Sequence, residues 1–165
     1  MMAGNWKRNL IAFGPTIFLG IVLLVSGTGK ALNPAEFAEI LFELQMPVIG
    51  TSAPLIYLVS YGVPCFEIVL GVLLLLGVLP RIAAALCLPL TIGFIVSNIW
   101  AMGELSQCVD CFGKWEELLG MMSPMQALFF DIVLFCCALI ILLFHPSGWL
   151  HFRPWFIKRE EGESA

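Results

Sequence analysis

Charge is scarce in this chain. Its 165 residues carry only twelve acidic and eight basic side chains, against 60% hydrophobic residues and a mean hydropathy of +0.97. A soluble domain of this size carries roughly twice that density of charge, so a water-soluble globular fold is excluded. Histidine is limited to two residues, His145 and His151. Both fall beside Pro146 and Trp149 at the end of an apolar run, where they read as interfacial anchors rather than metal ligands. The chain has no internal repeat, no low-complexity tract and no nucleotide-binding motif. Its net charge of −4 sits on short loops and points to no nucleic-acid partner.

What the chain has in quantity is apolar sequence. Two stretches, Asn9–Gly29 and Ile82–Gly103, hold no charge at all. Each has the length of about 20 residues that crosses a hydrocarbon core of about 30 Å. Two more, Leu55–Leu79 and Met125–Phe144, contain one acidic residue each. The pattern predicts an all-α membrane protein, a bundle of four transmembrane helices near 10–31, 55–79, 82–103 and 125–145. Residues 1–150 form a single domain and 151–165 a tail, charged from Lys158 onward. The first run follows Lys7 and Arg8 like a signal peptide, but it is longer than an ordinary signal core and reads as a retained helix.

Six basic residues, Lys7, Arg8, Arg81, Arg153, Lys158 and Arg159, lie on the termini and on the loop between the second and third spans, against Lys30 and Lys114 on the other side. The positive-inside rule then places both termini in the cytoplasm. For a bacterial inner-membrane protein the other two loops face the periplasm. Trp6, Trp149 and Trp155 mark the inner interface, Trp100 and Trp115 the outer one. The first outer segment opens Asn33-Pro34-Ala35-Glu36, with Asn33 as the helix cap, Pro34 at the first helical position and Glu36 at the third. Phe37, Ile40, Leu41 and Leu44 follow at helical spacing, with Glu36, Glu39 and Glu43 elsewhere on the turn, which predicts an amphipathic helix on the outer surface or on the bundle.

The second outer segment, Gly103–Pro124, holds Cys108 and Cys111 at C-x-x-C spacing. In an oxidising compartment a disulfide is the expected state. Zinc needs about two further ligands, and the outer loops offer no histidine and no other cysteine, so no metal is expected. The bond is either reactive or a structural staple. So small a ring constrains little of the unfolded chain, which favours a reactive pair. Asp110 and the acidic loop oppose thiolate formation. Cys65, Cys87, Cys136 and Cys137 fall inside spans and read as small apolar residues. Of these, only Cys65 lies in the outer half, within reach of the loop.

Below this loop the spans carry polar side chains at matched depth. At 1.5 Å per residue, Glu67 lies about 18 Å above the cytoplasmic end of its span and Asp131 about 20 Å above the end of its own. Ser26 is at similar height, with Lys30 and Asn98 a turn higher. Intramembrane ionisable residues are expensive and mark functional sites by default. An internal polar site is expected, with Lys30 paired to Glu67 or Asp131. The alternatives are that Lys30 snorkels to the interface and that the others lock helix packing.

The run Ser26-Gly27-Thr28-Gly29-Lys30, followed by Asn33-Pro34 and Phe37-Ala38, resembles the opening of the DoxX and MauE families of small four-helix membrane proteins. Pro64-Cys65-Phe66-Glu67-Ile68-Val69-Leu70-Gly71, running to Leu76-Gly77 and Pro80-Arg81, is similar to their second helix. Cys108…Cys111-Phe112-Gly113 resembles the CFG motif of MauE. The resemblance covers about residues 14–144. It implies maturation of a periplasmic, disulfide-rich redox protein in methylamine utilisation, with Cys108 and Cys111 as the exchanging pair. It also implies kinship with four-helix thiol oxidases that pass electrons from cysteines to a quinone. Lys30, Glu67, Asn98, Asp131 and Ser26 would then serve the quinone or its protons. This chain departs from the pattern in two ways. Val109 and Asp110 separate the cysteines where the family more often has one residue, and there is no second relaying pair. A non-catalytic subunit or assembly factor of a larger membrane complex is the other reading.

Overall fold

The computed structural model describes the backbone of residues 3–44, 52–104, 112–116, 120 and 122–145, and the side chains of these from residue 12 onward except Glu104. Cys108, Cys111 and the tail 151–165 lie outside the described residues, as do His151, Trp149 and Trp155.

Five helices and one short 3-10 turn make up the described chain: α1 (Ala3–Leu32), α2 (Pro34–Glu43), α3 (Ala53–Leu76), α4 (Pro80–Glu104), the turn Gly113–Trp115, and α5 (Pro124–Phe144). Four contain segments long and apolar enough to cross a membrane: Ala12–Leu32, Ala53–Leu76, Pro80–Gly103 and Pro124–Phe144. The chain is thus a four-helix membrane bundle with an added surface helix.

Local chemistry sets the ends. α1 begins well before its apolar run, because a helix can continue through an interface where backbone hydrogen bonds, not hydropathy, hold it. α3 stops three residues before the expected end at Leu79. Gly77 takes a left-handed conformation (φ 68°), and the N–H groups of Gly77 and Val78 donate back to Leu74 and Leu73 at 3.0 Å each, the double closure of a glycine-terminated helix. Pro80 then opens α4, where its missing N–H is harmless. Ser123 starts α5 with a capping box: its hydroxyl accepts from the Gln126 N–H, and the Gln126 side chain accepts from the Ser123 N–H. α2 begins differently from expectation. Asn33 does not cap the backbone. Its side-chain amide donates instead to the Glu36 carboxylate at 2.7 Å.

Two helix pairs build the bundle. α1 packs along α3 and α4 along α5, α1 also leans on α5, and the α3–α4 seam is looser. The α1–α3 pair closes through small residues. A Cβ on Gly20 would sit 2.9 Å from the Leu75 side chain, and one on Gly27 would sit 2.9 Å from the Pro64 carbonyl oxygen. Close backbone approach of this kind replaces the hydrophobic driving force that lipid removes. Leu19, Leu23, Leu70, Leu74, Cys87 and Ile141 fill the core of the bundle.

α2 lies on the bundle. Phe37, Leu41 and Leu44 are buried against Ile56 and Ala101, while Glu36, Glu39 and Glu43 are exposed. The Trp100 indole N–H donates to the Leu44 carbonyl at 3.0 Å, tying α2 to the C-terminal end of α4. At the opposite end, the Arg81 guanidinium donates twice to the His145 carbonyl, at 2.7 and 3.1 Å, joining the start of α4 to the end of α5.

Candidate functional site

The polar side chains singled out above are buried, and the structure sorts them into two groups. Lys30, in the last turn of α1, and Glu67, mid-α3, are 2% and 0% exposed and form an ion pair at 3.0 Å. Ser26 lies one turn below Lys30. It accepts from the Lys30 ammonium at 3.0 Å and donates to Glu67 Oε2 at 3.2 Å. On the other helix pair, Asn98 of α4 donates to Asp131 Oδ2 of α5 at 2.8 Å. Each tightly packed helix pair therefore carries its own polar clasp, and Lys30 is buried in it rather than snorkelling. A buried carboxylate beside a lysine and a hydroxyl has the paired, hydrogen-bonded surroundings that a charge in a low-dielectric interior requires.

Both clasps line one cavity of about 580 Å³ in the half of the bundle that carries α2 and the Gly113–Trp115 turn, a size typical of small-molecule sites. Its walls are otherwise mostly apolar and rich in phenylalanine. The Lys30 ammonium lies 4.4 Å from the Phe94 ring centroid and 5.5 Å from that of Phe37, close enough for cation–π attraction to both.

The loop between α4 and α5 reaches this cavity through Phe112, the residue after Cys111. Phe112 lines the cavity and meets Phe130 of α5 edge to face at 5.6 Å. The next residue fixes the loop. Gly113 has a φ of +55° and presses on the backbone of Gly29 and Lys30, and a Cβ on Gly29 would collide with the Phe112 carbonyl. Trp115 secures the contact by donating its indole N–H to the Thr28 hydroxyl at 3.2 Å, and the Glu116 carboxylate accepts from the Phe112 N–H at 3.1 Å. The loop segment following the cysteine pair is thus seated on the last turn of the helix that supplies Lys30.

Sequence depth brought Ser26, Glu67 and Asp131 to one level, with Lys30 and Asn98 a turn above. It did not reveal the aromatic rings around Lys30 or the Gly29–Gly113 contact. The available signal for that contact was the pair Gly27 and Gly29 in a helix end and a glycine directly after Cys111-Phe112. Cys65 is exposed on α3 and Cys136 on α5, while Cys87 is buried, and all four described cysteines are unbonded. None of them lines the cavity. Among the described residues no cluster of His, Cys, Asp and Glu has the composition of a metal site.

No curated protein and no solved structure was found to match. A family match extends over residues 8–144, covering all four spans, both clasps and the cysteine loop. The chain belongs to that family, described as Methylamine utilisation protein MauE.

Proposed function

We propose that this membrane protein serves the maturation of a disulfide-rich redox protein outside the cytoplasm, in methylamine utilisation, by thiol–disulfide exchange at Cys108 and Cys111. The supporting observation is the seating of the loop. Directly after Cys111, Phe112 enters the wall of the cavity that holds Lys30, Glu67 and Asp131. A disulfide donated to a client leaves a dithiol. Re-forming the bond releases two electrons and two protons, which is the stoichiometry that a lipid-soluble quinone accepts. Lys30 and Asn98 supply donors for such an acceptor, and the carboxylates of Glu67 and Asp131 supply places for protons.

The experiment is a trap. In Cys111→Ser, Cys108 should remain joined to a client, giving a higher-mass band on non-reducing electrophoresis that dithiothreitol removes. A redox titration of the wild-type pair should give a potential above about −300 mV, the range of labile rather than structural bridges. No trapped species, a lower potential and normal client maturation by the double Ser variant would together overturn the exchange reading. The single cysteine pair in the outer loops favours the second reading, a non-catalytic subunit or assembly factor, which would then stand.

The orientation is part of the proposal: an inner-membrane protein with cytoplasmic termini and an outer cysteine loop, supported by the distribution of basic residues. An alkaline phosphatase fusion within 105–120 should be active and one after residue 165 inactive. The reverse pattern would place the cysteines in a reducing compartment and defeat the exchange reading.

A further inference from the structure

The cavity is closed on most sides. Phe112 and Phe130 wall it beside the loop, α2 covers it with buried Phe37 and Leu41, and the packed inner core lies beneath. It is not closed along the seam between α3 and α4. On α4 the residues Pro89, Gly93, Val96 and Trp100 recur at i, i+4, i+7 and i+11, so they form one stripe. All four line the cavity and all four are exposed, Val96 to 52%. Across the seam, the half-buried Val59 and Val63 of α3 lead at four-residue steps to Glu67. The slot lies at the looser of the bundle's seams. Apart from Trp100 its α4 rim is made of small side chains, and a Cβ on Gly93 meets nothing within 4 Å.

We infer that this slot is a lateral portal through which the cavity takes a membrane-dissolved, neutral molecule with an apolar body and a ring carrying hydrogen-bond-accepting oxygens. The chemistry of the cavity selects that class. The rim lies within membrane-spanning segments, so the ligand arrives from lipid. The Lys30 charge is matched by Glu67, and Asp131 adds a further carboxyl group, so nothing is left to attract a phosphate or a fatty-acid anion. The ammonium has three donors. Two go to Ser26 and Glu67, and the third faces the Phe94 ring, where a ligand oxygen can replace it. Phe94, Phe112 and Phe130 offer faces and edges to a flat ring. The inference deepens the exchange reading, for which it supplies the acceptor's route, but its test does not require the cysteines.

The probe is ubiquinone-2, titrated into the full chain in phosphatidylcholine nanodiscs while quenching of tryptophan fluorescence is followed. Trp100 stands on the rim, so quenching should saturate, and Trp100→Phe should remove most of the saturable part. Gly93→Phe places a ring in the slot and should raise the half-saturating concentration about tenfold or more. Gly62→Phe is the control, because Gly62 is equally unobstructed on α3 but does not line the cavity. It should bind like the wild type. Non-saturable quenching, or equal weakening by Gly93→Phe and Gly62→Phe, would overturn the portal. Strong quenching of Trp100 by dibrominated phosphatidylcholine that ubiquinone-2 cannot displace would assign the cavity to a bilayer acyl chain and overturn the ligand class. Saturable binding with no client trapped by Cys111→Ser would sustain the portal and defeat the exchange reading. A trapped client without saturable binding would do the opposite.

Discussion

Removing Lys30 alone should destabilise the protein by about 3–5 kcal/mol, the usual cost of leaving one partner of a buried ion pair without its counter-charge. Lys30→Met keeps the length and apolar stem of the side chain. What it leaves is the Glu67 carboxylate at 0% exposure with only the Ser26 hydroxyl as its described donor. Glu67→Leu should cost a comparable amount by stranding the ammonium. The double variant Lys30→Met/Glu67→Leu should recover most of the loss, because a well-packed apolar pair of similar volume often equals a buried salt bridge in stability. Reversible unfolding in mixed micelles measures all four corners of the cycle, and the coupling between the single variants is the quantity of interest.

Magnitude separates this outcome from its rival. A neutral interhelical hydrogen bond in a membrane is worth about 0.6 kcal/mol on average and about 1.7 at most. The hydrogen bond from the Trp100 indole to the Leu44 carbonyl is neutral and joins two helices, so it supplies the internal comparison, and Trp100→Phe should fall within that lower range. If Lys30→Met costs no more than Trp100→Phe, or if the single losses simply add, the α1–α3 clasp is not an ion pair. The double variant also separates stability from function. Restored stability with lost client maturation would assign the pair to the activity, and restored maturation would leave it a packing role.

How much of this was legible beforehand follows from what a sequence pattern encodes. Position along a span gives height, so Ser26, Glu67 and Asp131 could be set at one level and Lys30 and Asn98 just above. Height says nothing of azimuth. Whether Lys30 meets Glu67 or Asp131 depends on which helices touch, and that is decided by the glycine contacts at Gly20, Gly27 and Gly71, which fix α1 against α3. The amphipathic helix was visible because Phe37, Leu41 and Leu44 repeat at helical spacing. Its cap was misread because Asn33 had a nearer charged partner in Glu36. The end of α3 was missed because hydropathy runs on through Val78 and Leu79 while Gly77 turns the backbone. The slot between α3 and α4 had no sequence signal: its rim reads as ordinary lipid-facing sequence, and only the looseness of one seam makes it an opening.

Gly29 offers the second large effect, one in which two physical expectations have opposite signs. It lies in the last turn of α1, where replacing glycine by alanine ordinarily stabilises a helix by about 1 kcal/mol. Here the added methyl would fall on the Phe112 carbonyl and the Trp115 ring. The opposing residue cannot yield easily, since Gly113 holds a φ of +55°, a region costing other L-residues about 1–2 kcal/mol. Gly29→Ala should therefore unseat the loop, breaking the Trp115–Thr28 hydrogen bond and withdrawing Phe112 from Phe130. Gly113→Ala should do the same with added backbone strain. The bundle, held by contacts elsewhere, should remain folded. Trp115 fluorescence should shift to the red, and limited proteolysis should cut the 103–124 loop about tenfold faster if the lost seating is worth about 1.4 kcal/mol. Client trapping through Cys108 should fall in parallel if seating positions the pair. A Gly29→Ala protein that is more stable, with an unchanged Trp115 spectrum, would show helix propensity outweighing the contact and would detach the cysteine loop from the cavity.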